Sequence, residues 1–199
     1  VVLTVFLAVG AWRISKAQVL SRRAAAIETL GSITVLCTDK TGTLTENRMA
    51  VARLWAPHAG MIELAPQQSV PNHYADLIET GRLASAVQAI DPMEVAIHEA
   101  VGASGREAGQ DWEFIHSYGL RPDLLAMSNI WQTPDKLVVA AKGAPEAIAS
   151  LCRLSPPQAK AMLAAADAMA EQGIRVLGVA LADTNDARPA ASHRDYRFK

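Results

Sequence analysis

The order of apolar and polar residues divides the chain into an apolar start, a short β-rich run and a longer mixed region. Residues 1–12 carry no charge, and a basic, alanine-containing amphipathic stretch follows and closes at Gly31. The run ITVLCTD, residues 33–39, is apolar up to its last residues, which favours a strand buried on both faces of a parallel sheet. From about residue 50 onward, strand and helix patterns mix without a strict βαβ alternation. The pattern therefore predicts a mixed α/β chain with two kinds of organisation.

The region after residue 50 predicts strands and helices that form an antiparallel sheet covered by helices. VARLWAP and MIEL predict two strands around a Pro-His-Ala-Gly turn, and WEFIHSYGL, LLAMSNIW and KLVVAAKG predict three more. HYADLIETGRLASAVQAI has helical apolar spacing, and a second helix begins after Asp91, with Pro92 at its first position. A third helix has Ser155 as its cap and Gly173 as its stop. IRVLGVAL predicts a last strand.

Composition limits the class of protein without identifying it. The chain has 199 residues, of which 50% are apolar and 20% charged, as in an ordinary globular protein. A net charge of −1 argues against a nucleic-acid-binding face. The two cysteines, Cys37 and Cys152, form no CxxC pair, so we expect reduced thiols, which suit a cytosolic setting.

The apolar start allows two interpretations. Twelve uncharged residues are too few to span a bilayer, which takes about 20. Four basic residues precede the first acidic residue, Glu28, and a basic flank is typical of the cytoplasmic end of a transmembrane helix. A buried helix or strand of a soluble domain explains the apolar run equally well.

Asp39 stands where a carboxylate can do chemistry. The carboxyl end of a strand in an open α/β sheet is the edge at which such sheets bind ligands. There, an aspartate can act as a nucleophile toward the terminal phosphoryl group of a nucleotide. Lys40 supplies a cation, Thr41 and Thr43 supply hydroxyls, and Gly42 allows backbone N–H groups to approach phosphate oxygens. Mg²⁺ would be needed to bridge the carboxylate and the phosphate. A turn capped by an aspartate is the simpler alternative.

The heptapeptide DKTGTLT resembles the phosphorylation-site signature of P-type cation-transporting ATPases, within the haloacid-dehalogenase-like superfamily. The resemblance extends over AIETLGSITVLCTDKTGTLTENRM, and VVLTVFLAVGAWRISK resembles the cytoplasmic end of the fourth transmembrane helix of the family. It implies that ATP phosphorylates Asp39, that Asp39 and Thr41 hold Mg²⁺, and that Lys40 and Thr43 line the same loop.

The resemblance also implies a domain order. Residues 1–12 would end a transmembrane helix, and residues 13–49 would form a stalk and the start of a Rossmann-type phosphorylation domain. Residues 50–185 would be an inserted nucleotide-binding domain with an antiparallel sheet and helices. Residues 186–199 would return toward the rest of the phosphorylation domain.

Three segments of the later region resemble the nucleotide site of the family. KGAPE assigns Lys142 and Gly143, DPMEVAI assigns Glu94, and IRVLGVA assigns Arg175 on a strand. Each residue also has a simpler explanation. Lys142 and Arg175 are explained as solvated side chains at strand ends, whereas Glu94 and Asp91 are explained as a capping box.

One segment departs from the pattern of the family. Many cation pumps carry a phenylalanine that stacks on adenine and a lysine shortly before a Met-Ser pair. Alignment on Met127 and Ser128 places Leu120 and Leu125 at those two positions. Tyr118 is the nearest aromatic residue and is the candidate for contact with the base.

The resemblance implies a segment of an ATP-driven cation pump, with calcium as the first candidate ion. Such a protein is an integral membrane protein, and most of this segment would lie on its cytoplasmic side, with ATP and Mg²⁺ as cofactors and no nucleic-acid partner. The Thr-Gly-Asp and Gly-Asp-Gly-x-Asn-Asp motifs of the family are absent from the sequence, so we expect no turnover by this chain alone.

Two alternatives belong to other classes. The first is a soluble haloacid-dehalogenase-like phosphatase. Those enzymes generally carry a second acid two residues after the nucleophile, and Thr41 occupies that position here. The second is a nucleotide-binding module without catalysis, which the missing motifs favour.

Overall fold

The structure is a computed structural model that describes residues 2–19, 29, 31–65, 68–104, 112–186 and 188–199. The chain forms two compact units, Val1–Asn47 and Arg48–Lys199.

The first unit begins with helix α1, Val2–Lys16. Several of its apolar side chains are exposed, including Phe6 and Trp12, and the Lys16 ammonium lies 4.1 Å from the centre of a Trp12 ring. Arg13 and Lys16 occupy the last turn, where cations interact favourably with the helix dipole. Among the described residues, none of the helices is both long enough and apolar enough to span a membrane.

The predicted buried strand at residues 33–39 is wrong. This segment forms no strand and is exposed, with Val35 and Leu36 each 77% exposed. A run of β-branched residues becomes a strand only when another strand pairs with its backbone groups, and none of the described strands pairs with this segment. Most of the predicted basic amphipathic stretch, residues 20–28 and 30, lies outside the described residues.

The second unit begins with a β-hairpin. Strands β1, Arg53–Ala56, and β2, Gly60–Glu63, pair antiparallel around the predicted turn. The hydroxyl of Tyr74 donates to the backbone oxygens of Ala59 and Gly60 at 3.1 and 3.0 Å, which fixes this turn against the following helix. The two predicted strands are therefore confirmed.

A four-stranded antiparallel sheet is the centre of the second unit. Its strands are β3, Glu113–Tyr118; β4, Ala126–Gln132; β5, Leu137–Gly143; and β6, Gly178–Thr184. They lie side by side in chain order. All seven residues of β5 are buried, as expected for a central strand with both faces covered.

Two helices cover each face of this sheet. Helices α2, Ala75–Leu83, and α3, Pro92–Ser104, lie on one face, where Leu83 packs against Trp131 and Ala140. Helices α4, Pro145–Leu151, and α5, Pro156–Ala170, lie on the other, against Gly178. We call these the α2–α3 face and the α4–α5 face.

The helix ends follow the local signals of the sequence. The Met93 N–H donates to Asp91 Oδ1 at 2.8 Å, Ser155 and Gln158 form a capping box, and Gly173 has a φ of 76° after α5. The helix predicted from HYADLIETGRLASAVQAI is shorter than expected and ends at Leu83. The predicted fold class is confirmed as mixed helix and antiparallel sheet.

Candidate functional site

A buried ion pair lies at the end of β5, on the α2–α3 face. The Lys142 ammonium donates to Glu94 Oε1 at 2.5 Å, and the two side chains are 7% and 13% exposed. Strand β5 brings Lys142 to this position, and the first turn of α3 brings Glu94. Burial strengthens the attraction between the two charges. It also means that removal of either partner would leave a buried, uncompensated charge and destabilise the fold.

Ser85 is the second partner of the ammonium. Lys142 Nζ donates to Ser85 Oγ at 2.9 Å, and the Ser85 hydroxyl donates to the Gly81 oxygen at 2.7 Å. The side-chain amide of Asn129 donates to the Leu83 and Ser85 oxygens at 3.1 and 2.8 Å. These bonds attach the end of α2 to the sheet and hold the lysine in one orientation.

Gly143 and Arg175 border the ion pair. A Cβ atom on Gly143 would lie 2.3 Å from the Leu125 oxygen, so only glycine allows β4 and β5 to approach this closely. Arg175 Nη1 lies 3.9 Å from Sδ of Met93, next to Glu94 in the sequence. Arg175 is exposed and precedes β6, so its predicted place on the strand is wrong. Residues 174–177 form no strand, and β6 begins at Gly178.

Tyr118 lies on the other face of the sheet. It pairs with Ser128, which pairs with Ala141, whereas Lys142 pairs with Met127. Side chains of paired residues share a face and successive residues alternate, so Tyr118 and Lys142 point to opposite faces. The structure therefore does not bring Tyr118 together with the other predicted nucleotide-binding residues.

Residues 188–199, here called the C-terminal strap, enclose Tyr118. The Tyr118 hydroxyl donates to the Ala190 oxygen at 2.6 Å, and Tyr196 lies beside it. Burial, together with the neighbouring Tyr196 hydroxyl, raises the pKa of Tyr118. A cleft of about 300 Å³ separates residues 117–121 from residues 191–193 of the strap.

His193 anchors the strap, and its protonation is expected to weaken the fold in acid. Its Nδ1 lies 3.0 Å from the buried Ser128 hydroxyl. Burial, followed by the charges of Arg194 and Arg121, lowers the pKa of His193. The neutral ring is therefore favoured in the folded state. Its contribution to the free energy of unfolding is fully present above the unfolded pKa of about 6.5, and it is lost as the pH drops toward the lower pKa of the folded state.

This pH dependence can be measured by urea unfolding between pH 7.5 and 5. We expect His193→Gln to remove part of the acid-induced loss of stability, because glutamine can bond Ser128 but does not titrate. His116→Gln, at an exposed histidine of β3, is the matched control. Equal pH profiles for wild type and His193→Gln would contradict this assignment.

The two leucines that replace the expected phenylalanine and lysine are exposed. Leu120 is 64% and Leu125 57% exposed, and both lie between β3 and β4. Neither side chain has a ring to stack on a base or a charge to offer to a ligand.

The loop that carries Asp39 belongs to the first unit. The Lys40 N–H donates to Asp39 Oδ1 at 2.7 Å, and the loop closes where the Thr45 N–H donates to the Lys40 oxygen at 3.1 Å. Gly42 has a φ of 77°, which favours glycine at this position. Asp39, Lys40, Thr41 and Thr43 are exposed to solvent.

The side chains of this loop could supply part of the coordination shell of a magnesium ion. Asp39 provides a carboxylate and Thr41 a hydroxyl, and oxygen ligands of this kind are those that Mg²⁺ takes, with water and phosphate oxygens completing the shell. Within the described ranges, no group of three or more His, Cys, Asp or Glu side chains is placed to hold a metal ion.

Sequence reasoning missed Ser85 and Asn129. Both are buried polar residues that bond to residues more than 40 positions away along the chain. No local pattern marks either residue, because their role arises from the packing of α2 on the sheet.

Comparison with known proteins finds relatives along most of the chain. A probable cation-transporting P-type ATPase of Mycoplasma genitalium is 28% identical over 90% of this chain, and calcium-transporting ATPase 1 of Lactococcus lactis is 28% identical over 93%. The probable cation-transporting ATPase F of Mycobacterium tuberculosis is 56% identical over 55 residues, 28% of this chain. The chain spans 6 to 23% of the length of these relatives. No family model matches it.

Proposed function

We propose, for this relative of the P-type cation-transporting ATPases, that the second unit binds ATP beside Glu94, Lys142, Gly143 and Arg175. The resemblance of the sequence to that family is confirmed by relatives that match about 90% of the chain. The observation that carries the proposal is the buried Lys142–Glu94 pair, whose two charged groups lie 2.5 Å apart at the end of a central strand. A fixed ammonium and carboxylate can recognise the donors and acceptors of a nucleotide together.

The charges of Glu94 and Arg175 support one orientation of the bound nucleotide, with its base near Glu94 and its phosphates near Arg175. Glu94 offers acceptor oxygens to the amino group of an adenine, while Lys142 holds that carboxylate in place. Arg175 is exposed near the same helix end and can reach a phosphate with its guanidinium. Tyr118 is not included, because the sheet separates it from Lys142.

In the whole pump we propose that Asp39 receives the γ-phosphoryl group of ATP. A bond forms between a carboxylate oxygen of Asp39 and the γ-phosphorus, the bond from that phosphorus to the β–γ bridging oxygen breaks, and ADP leaves with the electron pair. Mg²⁺, held by Asp39 and Thr41, would offset the phosphate charge. Lys40 and Thr43 would line the loop, and the Lys40 N–H, already bonded to Oδ1, orients the carboxylate.

The cation and the membrane belong to the same proposal. The relatives are named as cation-transporting ATPases, and one is named for calcium, so we propose a cation pump with calcium as its first candidate ion. Its setting would be a membrane, with this chain mostly on the cytoplasmic side.

Removal of the Arg175 charge tests nucleotide binding. We expect Arg175→Gln to weaken MgATP binding about tenfold in calorimetric titration, because a charge-assisted contact to phosphate is lost. Lys160→Gln, on α5 of the other face, removes the same charge and should bind like wild type. Equal losses of MgATP affinity in both variants would show that the effect comes from the change in net charge, and this would contradict the proposed site.

Turnover by the isolated chain is a separate prediction. The chain lacks the Thr-Gly-Asp and Gly-Asp-Gly-x-Asn-Asp motifs, so incubation with MgATP should release no phosphate above background. Sustained phosphate release that disappears in Asp39→Asn would show that this segment is catalytic on its own.

A further inference from the structure

The cleft between residues 117–121 and the C-terminal strap, here called the strap cleft, has walls that are bonded to each other. The Tyr118 hydroxyl at the end of β3 donates to the Ala190 oxygen of the strap at 2.6 Å. His193, on the strap wall, is buried, and its Nδ1 lies 3.0 Å from the Ser128 hydroxyl of β4. The volume of about 300 Å³ therefore lies between two segments that the fold holds in place.

Hydrogen-bond donors line the strap cleft from both walls. Ser117 stands on the β3 wall and Ser192 on the strap wall. Ser192 Oγ accepts from the Arg194 N–H at 3.2 Å, which leaves its own proton free to donate. Among the described residues, no backbone oxygen accepts from the N–H groups of Gly119 and Leu120. None of the described residues that line the cleft carries a carboxylate, so the lining offers donors to an anion.

Positive charge exceeds negative charge among the residues that are bonded to these walls. Arg121, which lines the cleft, and Arg194 share one carboxylate, with Nε of Arg121 3.0 Å and Nη2 of Arg194 3.5 Å from oxygens of Asp123. Arg153 Nη2 lies 3.4 Å from the Arg194 oxygen. The second acidic residue, Asp195, is bonded within the strap. Three guanidinium groups therefore face two carboxylates.

From this lining and this charge we propose that the strap cleft binds a small phosphate monoester. Arg121 has five N–H donors, and those that Asp123 leaves free can bind phosphate oxygens. A phosphate group has three acceptor oxygens, so the hydroxyls of Ser117 and Ser192 on opposite walls can bind it together. A carboxylate has two oxygens in one plane and would leave one wall without a partner.

The test is a titration of the full chain, labelled with ¹⁵N, in which glycerol phosphate replaces sodium chloride at constant ionic strength. We expect saturable amide shifts at Gly119, Arg121 and Ser192. Arg121→Gln should weaken the binding about tenfold, because a charge-assisted bond to phosphate is lost. Arg197→Gln, at an exposed arginine of the strap outside the lining, is the matched control and should bind like wild type.

A second variant separates the ligand from the structural bond of Arg121 to Asp123. Ser117 is exposed, so Ser117→Ala should keep the fold and weaken glycerol phosphate about threefold. Unchanged affinity in both Arg121→Gln and Ser117→Ala would overturn the proposal.

Three further outcomes would also overturn the proposal. Equal losses of affinity in Arg121→Gln and Arg197→Gln would show an effect of net charge alone. Acetate that shifts the same amides as strongly as glycerol phosphate would identify a site for carboxylates. MgATP that displaces glycerol phosphate from these amides would assign the cleft to the nucleotide.

Discussion

Gly143→Ala is expected to destabilise the second unit by about 3 kcal/mol, because the nearest atoms that the added methyl group meets belong to the backbone. Its Cβ would lie 2.3 Å from the Leu125 oxygen and 2.6 Å from the Ala126 Cα. Rotation of a side chain cannot relieve such a contact, so β4 and β5 would have to separate where Lys142 is held. Urea unfolding followed by tryptophan fluorescence measures the loss.

Gly102→Ala is the matched control for this substitution. Gly102 lies in α3, and its added Cβ would meet none of the described atoms within 4 Å. Alanine in a helix is favoured over glycine by about 0.5–1 kcal/mol, so this variant should be more stable than wild type. A Gly143→Ala chain as stable as wild type would contradict the close approach of the two strands.

Lys142→Met is expected to cost about 3 kcal/mol, because it leaves the partly buried Glu94 carboxylate without its cation. Ser85 would also lose the hydrogen bond that its hydroxyl accepts from the Lys142 ammonium. Glu94→Gln should cost less, since the amide oxygen can still accept from Lys142. The free energies of unfolding are measured in urea at pH 7.

A double-mutant cycle separates the ion pair from the effects of the single substitutions. If the pair exists, Lys142→Met and Glu94→Gln together should cost less than the sum of their separate costs, by about 1–3 kcal/mol. Lys136→Met provides the comparison, because Lys136 pairs with Asp183 at the surface, where such a bond contributes less than about 1 kcal/mol. Additive costs would mean that Lys142 and Glu94 act independently.

Local chemistry predicted much of the second unit. The cap at Asp91, the capping box at Ser155 and the stop at Gly173 follow from the residues themselves, so α3 and α5 were predictable. Strands β3, β4 and β5 were equally predictable, because each is a short run rich in β-forming residues. The pairing of Lys142 with Glu94 could not be predicted from local sequence, because 48 positions separate the two residues and only the fold brings them together.

The failures share one physical cause, which is dependence on distant partners. Residues 33–39 have the composition of a buried strand, yet none of the described strands pairs with them. Tyr118 is the aromatic residue nearest to the expected phenylalanine in the sequence, but the register of β3 with β4 decides the face on which its side chain lies. The same register places Lys142 on the face of α2 and α3, together with Glu94.

We propose that ATP binds on the α2–α3 face, and mapping of amide chemical shifts tests this proposal. The full chain, labelled with ¹⁵N, is titrated with MgATP while backbone shifts are followed. We expect saturable shifts at Glu94, Lys142, Gly143 and Arg175, and unchanged shifts at Tyr118 and His193 on the other face. Shifts concentrated at Tyr118 and His193, or no saturable shift at millimolar ATP in a folded chain, would contradict it.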